Sequence, residues 1–196
     1  YCRRRVSSVY LINSMTKPSF SNVYSKVVRV GGKEITLEVG KFSEQANAAV
    51  LATCGETVVH ATIVSCGISK LGYFPLQVEY VEKLYAGGRI KGSRWVKRDG
   101  RPNDEAILKG RIIDRSVRPM FPTGFMNEVQ LVTTVLSVDM ENDPDMIALV
   151  AGSAAISISS IPFDGTIAGV RIGFDKTSKE FVFNPTYEER KNSDLD

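Results

Sequence analysis

Histidine is nearly missing from this sequence: His60 is the only one among 196 residues. It lies in the β-branched run Val58-Val59-His60-Ala61-Thr62-Ile63-Val64, so it is expected to be a satisfied mid-strand residue. No side chain elsewhere forms a recognisable nucleophile with a base. Cysteine is scarce too. Cys2, Cys54 and Cys66 are odd in number, widely spaced and without a C-x-x-C pair, which argues against a disulfide scaffold or a zinc site. Cys54 and Cys66 sit in apolar stretches and read as small buried hydrophobes in a reducing cytoplasm. No apolar run approaches the ~20 residues a spanning helix needs, and no membrane contact is expected. The apolar patch Val9–Ile12 after Arg3-Arg4-Arg5 is too short for a signal peptide.

What is present is ordinary in amount, with 43% hydrophobic and 24% charged residues. Such a composition supports one globular domain and argues against disorder, collagen or a coiled coil. The charge is not ordinary in distribution. Net charge is +3 overall. Residues 1–20 contain four bases and no acid, while residues 88–118 contain ten bases against four acids. The rest of the chain is acidic. Concentrated positive charge points to a polyanionic partner.

The chain starts with Tyr, and Met15 followed by Thr-Lys-Pro-Ser-Phe reads as a natural start. Residues 1–22 are therefore read as an N-terminal extension, and 23–196 as the domain. The end at Ser-Asp-Leu-Asp lacks a closing element and reads as that of a fragment.

Alternation predicts strands over 26–30, 33–39, 46–53, 57–65, 74–85 and 129–138, with a final hairpin over 166–174 and 180–183. Helical spacing of Ile107, Leu108, Ile112, Ile113 and Val117 predicts a helix from an Asn103 or Asp104 cap to about Met120. A second, apolar nearly all round, runs from Met146 to about Ser160 after Asp143-Pro144-Asp145. The acids Asp139, Glu141, Asp143 and Asp145 read as a strand-to-helix turn with capping carboxylates. The order of elements indicates an α+β domain.

Residues 86–102 are the most unusual stretch. They set Arg89, Lys91, Arg94, Lys97, Arg98 and Arg101 around Trp95 in a glycine-punctuated loop. Bases stack on an indole while cations neutralise phosphates, the arrangement of single-strand nucleic-acid grooves. A solvated charged loop with Trp95 folded back is the competing reading. Arg111, Arg115 and Arg118 follow along one helical stripe and extend the same surface, since the arginine fork suits phosphate.

Three ordered strings then become recognisable: Phe74-Pro75-Leu76-Gln77-Val78-Glu79-Tyr80-Val81-Glu82-Lys83-Leu84-Tyr85-Ala86-Gly87-Gly88-Arg89-Ile90, Arg98-Asp99-Gly100-Arg101-Pro102, and Arg111-Ile112-Ile113-Asp114-Arg115-Ser116-Val117-Arg118-Pro119-Met120-Phe121-Pro122. With Asn142-Asp143-Pro144-Asp145, Gly152-Ser153-Ala154-Ala155 and Ile161-Pro162-Phe163 they closely resemble the first RNase PH-like core of the polynucleotide phosphorylases, from about Val23 to Asp196.

The resemblance implies an RNase PH-like (ribosomal protein S5 domain 2-like) β-α-β-α core. It implies part of a polyribonucleotide nucleotidyltransferase, which degrades RNA from its 3′ end with inorganic phosphate and releases nucleoside diphosphates. It further implies a homotrimer, single-stranded RNA as substrate, and a second RNase PH-like core of the same chain that binds Mg2+ and carries the phosphate site. No catalytic or metal residue is expected here. Where active relatives place Gly-Thr-Arg at a helix N-terminus, this chain has Pro144-Asp145-Met146, which reads as anion-repelling. Arg101 matches a phosphate-contacting arginine. The residues expected to bind RNA are Arg89, Arg94, Trp95, Lys97, Arg98, Arg101, Arg111 and Arg115, although the loop carries one ring where the family pairs two. A non-catalytic RNA-binding ring subunit of an exosome-like assembly is the alternative.

Overall fold

A computed structural model of the chain describes residues 23–30, 32–90, 92, 101–176 and 179–195. Six strands form one sheet: β1 (Tyr24–Val30), β2 (Lys33–Val39), β3 (Ala48–Cys54), β4 (Thr57–Ile68), β5 (Leu76–Glu82) and β6 (Asn127–Ser137). Their spatial order is β1-β2-β3-β4-β6-β5, antiparallel throughout except that β5 runs parallel to β6. A parallel pair requires a crossover. That crossover contains a 3-10 turn over Leu84–Gly87 and helix α1 (Asp104–Val117).

The β3–β4 hairpin turns at Gly55, whose φ of +60° favours glycine. A Cβ there would also stand 2.7 Å from Asp139 Oδ2. The turn thus requires glycine twice, once for its backbone and once for the carboxylate it receives.

Helix α2 (Pro144–Ile158) lies on β3, β4 and β6, and α1 lies on β5. Alternation decides what they cover. Val59, Ala61 and Ile63 of β4 and Leu131, Thr133 and Val135 of β6 are all buried beneath the helices. Fully burying one such aliphatic side chain contributes about 1.5–3 kcal/mol. Gly152 lets α2 approach closely, since a Cβ there would stand 3.2 Å from Leu131 Cδ2. The expectation that α2 is buried nearly all round is met.

Other expectations need correcting. The apolar spacing that predicts α1 does not give its buried face, for Ile107, Leu108 and Ile112 are 47%, 58% and 46% exposed. The helix buries Ala106, Gly110, Ile113 and Val117, and Gly110 lies close to β5, where a Cβ would stand 3.6 Å from Tyr80. Strand β5 ends at Glu82, well short of Tyr85. The final hairpin is short, β7 (Ile172–Phe174) with β8 (Phe181–Phe183). Residues 166–171 are not strand: the Ile167 amide donates to Ser153 Oγ on α2 at 2.7 Å and so leaves any ladder. A short helix, α3 (Tyr187–Lys191), was not anticipated in the polar C-terminal stretch. Its Thr186/Glu189 capping box explains why it forms.

His60 is mid-strand, facing the Phe42 ring edge at 5.9 Å. It is not satisfied, however: its buried Nε2 has no hydrogen-bond partner among the described residues. Cys54 is a buried free thiol as expected, whereas Cys66 is half-buried and disulfide-bonded rather than an apolar filler. The extension 1–22 lies outside the described residues.

Candidate nucleic-acid interface

The edge strand β5 runs directly into the basic segment, so its end decides where that segment departs. After Glu82 the chain tightens into the 3-10 turn, with Ala86 buried. Gly88 closes the turn at φ +70°, its amide and that of Arg89 donating to the Tyr85 and Leu84 carbonyls, both at 3.0 Å. The Val138 amide donates to the Ala86 carbonyl at 3.1 Å, tying the turn to the end of β6. Arg89 therefore leaves from an anchored point.

The far end is anchored as well. Arg101 and Pro102 lead into Asn103, whose Oδ1 accepts from the Ala106 amide at 2.7 Å and caps α1. Arg89 and Arg101 consequently line one cleft of about 510 Å³, between the 3-10 turn, the start of α1 and the start of α2. Lys83 and Lys109 line it too. Lys109 pairs with Glu82 at 3.0 Å and stands over the buried Tyr80 ring.

Arg111 lies in a neighbouring groove of about 550 Å³ along the β5 edge, which shares Pro102 and Ala106 with the cleft. Arg115 is exposed one turn further along α1 and lines neither cavity. Arg89, Arg101, Arg111 and Arg115 have no carboxylate partner among the described residues. Arg94, Trp95, Lys97 and Arg98 lie outside the described residues. Arg118 leaves the stripe for a structural role. It pairs with Asp114 at 2.7 Å and donates to the Leu76 carbonyl at 3.1 Å and the Phe74 carbonyl at 3.4 Å. Those bonds satisfy acceptors on the outer edge of β5.

The acids before α2 divide between two tasks. Asp139 takes the expected turn role, accepting from the Glu141 and Asn142 amides at 2.8 Å and from Asn142 Nδ2 at 2.6 Å. Asp143 occupies the N-cap position yet makes no cap bond. It pairs with Arg171, and with Arg190 at 2.9 Å, while Asp145 pairs with Arg171 at 3.1 Å. Burial, then the neighbouring Asp143, pushes the Asp145 carboxyl up, with Arg171 opposing. Burial and Asp143 likewise push the Tyr187 phenol to about 12. The carboxylates at this helix end are therefore paired with arginines rather than free to repel an anion unopposed. Two arginines neutralise the carboxylates, and together they line a hollow of about 620 Å³.

The oxygens of Asp139, Asp143 and Asp145 are taken by turn amides and arginines, and no group of three or more His, Cys, Asp or Glu gathers among the described residues. Lys83, Lys109 and Tyr187 are polar contributors to the cleft that the sequence reading missed. Lys109 was legible only as one more base on α1, and Tyr187 reaches the cleft from an element that the reading did not foresee.

The model of the 3′ exoribonuclease family, domain 1, matches residues 31–162. The chain is 48% identical over 184 residues to the polyribonucleotide nucleotidyltransferase of Exiguobacterium sibiricum, covering 93% of this chain and 24% of that protein. It is 52% identical over 167 residues to the one of Methylocella silvestris, covering 84% and 23%. The chain thus spans about a quarter of the length of these relatives. Among solved structures, rice Rrp46 superposes with a TM-score of 0.60 at 11% identity, over 88% of this chain and 72% of that one. The RNase PH-like α+β fold implied by the resemblance is the one observed.

Proposed function

The chain belongs to the 3′ exoribonuclease family as its domain 1, and from that premise we propose that it is the RNA-binding first core of a polyribonucleotide nucleotidyltransferase. The observation that carries this reading is the convergence of Arg89 and Arg101, free of carboxylates among the described residues, on one cleft at both anchored ends of the basic loop. Phosphates of single-stranded RNA neutralise these arginines, with Arg111 and Arg115 continuing the track along α1. Arg94, Trp95, Lys97 and Arg98 complete it from the loop.

In this reading the longer protein shortens RNA from its 3′ end by phosphorolysis in the cytoplasm, as a homotrimer. A second core of the same chain binds inorganic phosphate and Mg2+ and performs the reaction. In the same reading the first core does not perform it, and the ion pairs of Asp143 and Asp145 with Arg171 and Arg190 at the α2 N-terminus support this. In a reducing cytoplasm the Cys66 disulfide would be open.

The test is RNA affinity by filter binding. Replacing Trp95 and Lys97 with alanine in the longer protein is expected to weaken poly(A) binding about tenfold, by loss of one stacked base and one phosphate contact. Phosphorolysis of short oligonucleotides should survive. Unchanged affinity would sink the loop's role. The 196-residue chain alone is expected to release no nucleoside diphosphate from poly(A) with phosphate and magnesium. Clear release would instead place the reaction in this domain. The reading as a non-catalytic ring subunit draws on the fold shared with Rrp46; names and identities of the relatives favour the first.

A further inference from the structure

The cleft at the start of α1 contains more than a phosphate track needs. Backbone contacts to RNA require only cations and amides. Here the floor is apolar, built from Leu84, Ala86, Val135, Val138, Met140 and Pro144. Leu84 and Met140 are 51% and 63% exposed, so they present apolar surface to water inside a concavity. The rim is cationic, with Arg89 and Arg101 unopposed among the described residues and Lys109 already neutralised by Glu82. Flat, weakly polar surface below and fixed positive charge above suit a base and ribose joined to a phosphate.

The site is also bounded. Its volume of about 510 Å³ falls within the ~300–1,000 Å³ of small-molecule sites. Beyond Lys109 and Tyr187 the surface opens into a second hollow of about 620 Å³. There Arg171 and Arg190 are taken up by Asp143 and Asp145, so of the hollow's cations only Lys191, at its lip, and Lys109 remain beside them.

The geometry points to a single-nucleotide pocket. The cleft takes one phosphorylated nucleoside, its phosphate on Arg89 and Arg101 and its base against Leu84, Val138 and Met140. This rests on the reading of the segment as RNA-binding and goes further, assigning a base contact and an occupancy of one. Two sources supply that chemistry: a free nucleoside diphosphate, or the terminal nucleotide of an RNA chain.

The experiment titrates the 196-residue chain with ADP carrying a fluorescent label on its ribose, with inorganic phosphate and oligo(A) as competitors. One ADP per chain is expected, bound at least tenfold more tightly than inorganic phosphate. The double variant Arg89→Ala/Arg101→Ala should weaken ADP at least tenfold through loss of charge-assisted bonds. Leu84→Ser with Met140→Ser, both at exposed positions, should weaken it about fivefold with an unchanged circular dichroism spectrum. Displacement of ADP by oligo(A) identifies the RNA terminus as the source; persistence under saturating oligo(A) identifies the free nucleotide. Three results would each overturn the pocket: ADP no tighter than phosphate, poly-glutamate competing as well as ADP, or Leu84→Ser/Met140→Ser without effect. The RNA reading would then stand or fall on filter binding alone. A chain that binds ADP but not poly(A) would keep the pocket and lose that reading.

Discussion

At the scale of single residues, two buried or half-buried titratable groups set how the domain responds to acid. Partial burial opposes the charge of Asp139, but the Asn142 and Glu141 amides and the Asn142 side chain outweigh it and hold the carboxyl well below the usual range. A depressed carboxyl stabilises the fold above its ordinary value near 3.8, and that contribution is lost as the pH falls further. Asp139→Ala is expected to cost about 1–2 kcal/mol in urea unfolding at pH 7. The difference from the parent should shrink below pH 4.

His60 works in the same direction at higher pH. Burial lowers its pKa from 6.5, so the neutral ring is favoured in the fold, and stability present above pH 6.5 falls as the pH drops below it. His60→Val suits the strand and leaves no orphaned nitrogen. It should match or exceed the parent at pH 7 and flatten the decline in midpoint between pH 7 and 5; an unaltered slope would show that His60 is not the group responsible.

Between elements, the link between α2 and the C-terminal strap rests on charge. Asp143 receives Arg171 from just before β7 and Arg190 from α3. The side chains of Asp143, Arg171 and Arg190 are only 12%, 20% and 25% exposed. Removing Asp143 takes a carboxylate from both arginines, although Arg171 keeps Asp145 at 3.1 Å; breaking a buried ion pair typically costs about 3–5 kcal/mol. Asp143→Ala is expected to lose about that much, and hydrogen exchange should show α3 opening before the sheet. Exchange that stays uniform would mean that hydrophobic contacts, and not these ion pairs, hold the strap.

The two helices show what periodicity can and cannot say. Spacing alone was enough to mark α1 as a helix and its Asn103 cap as the start. It did not select the buried face, because Ile107, Leu108 and Ile112 compete with Ala106 and Gly110, and only the position of β5 decides for the small pair. For α2, apolar on every side, no choice of face arises.

For the molecule as a whole, the concentrated positive charge becomes a surface once the crossover between β5 and β6 closes. Residues 89 and 101 are twelve apart in sequence, and both ends of the segment are pinned to the same corner of the sheet. Binding of poly(A) should weaken steeply with salt. Each of Arg89→Ala and Arg101→Ala is expected to reduce the slope of log K against log salt by about 0.7, the single-strand value per phosphate contact. Slopes equal to the parent's would remove these arginines from the RNA track.

The sequence by itself was enough for the strands with β-branched alternation, both long helices, the α+β class, the family and the basic segment, because each is a local pattern or an ordered string. The tertiary structure alone decided which cations remain free. Arg118 and Arg111 are equivalent on a helical stripe, yet one is spent on the β5 edge and the other faces a groove. Asp143 reads as a cap and acts as an ion-pair centre. A side chain's charge is written in the sequence, but its partners come from elements far away along the chain, and those partners determine whether the charge is available to a ligand.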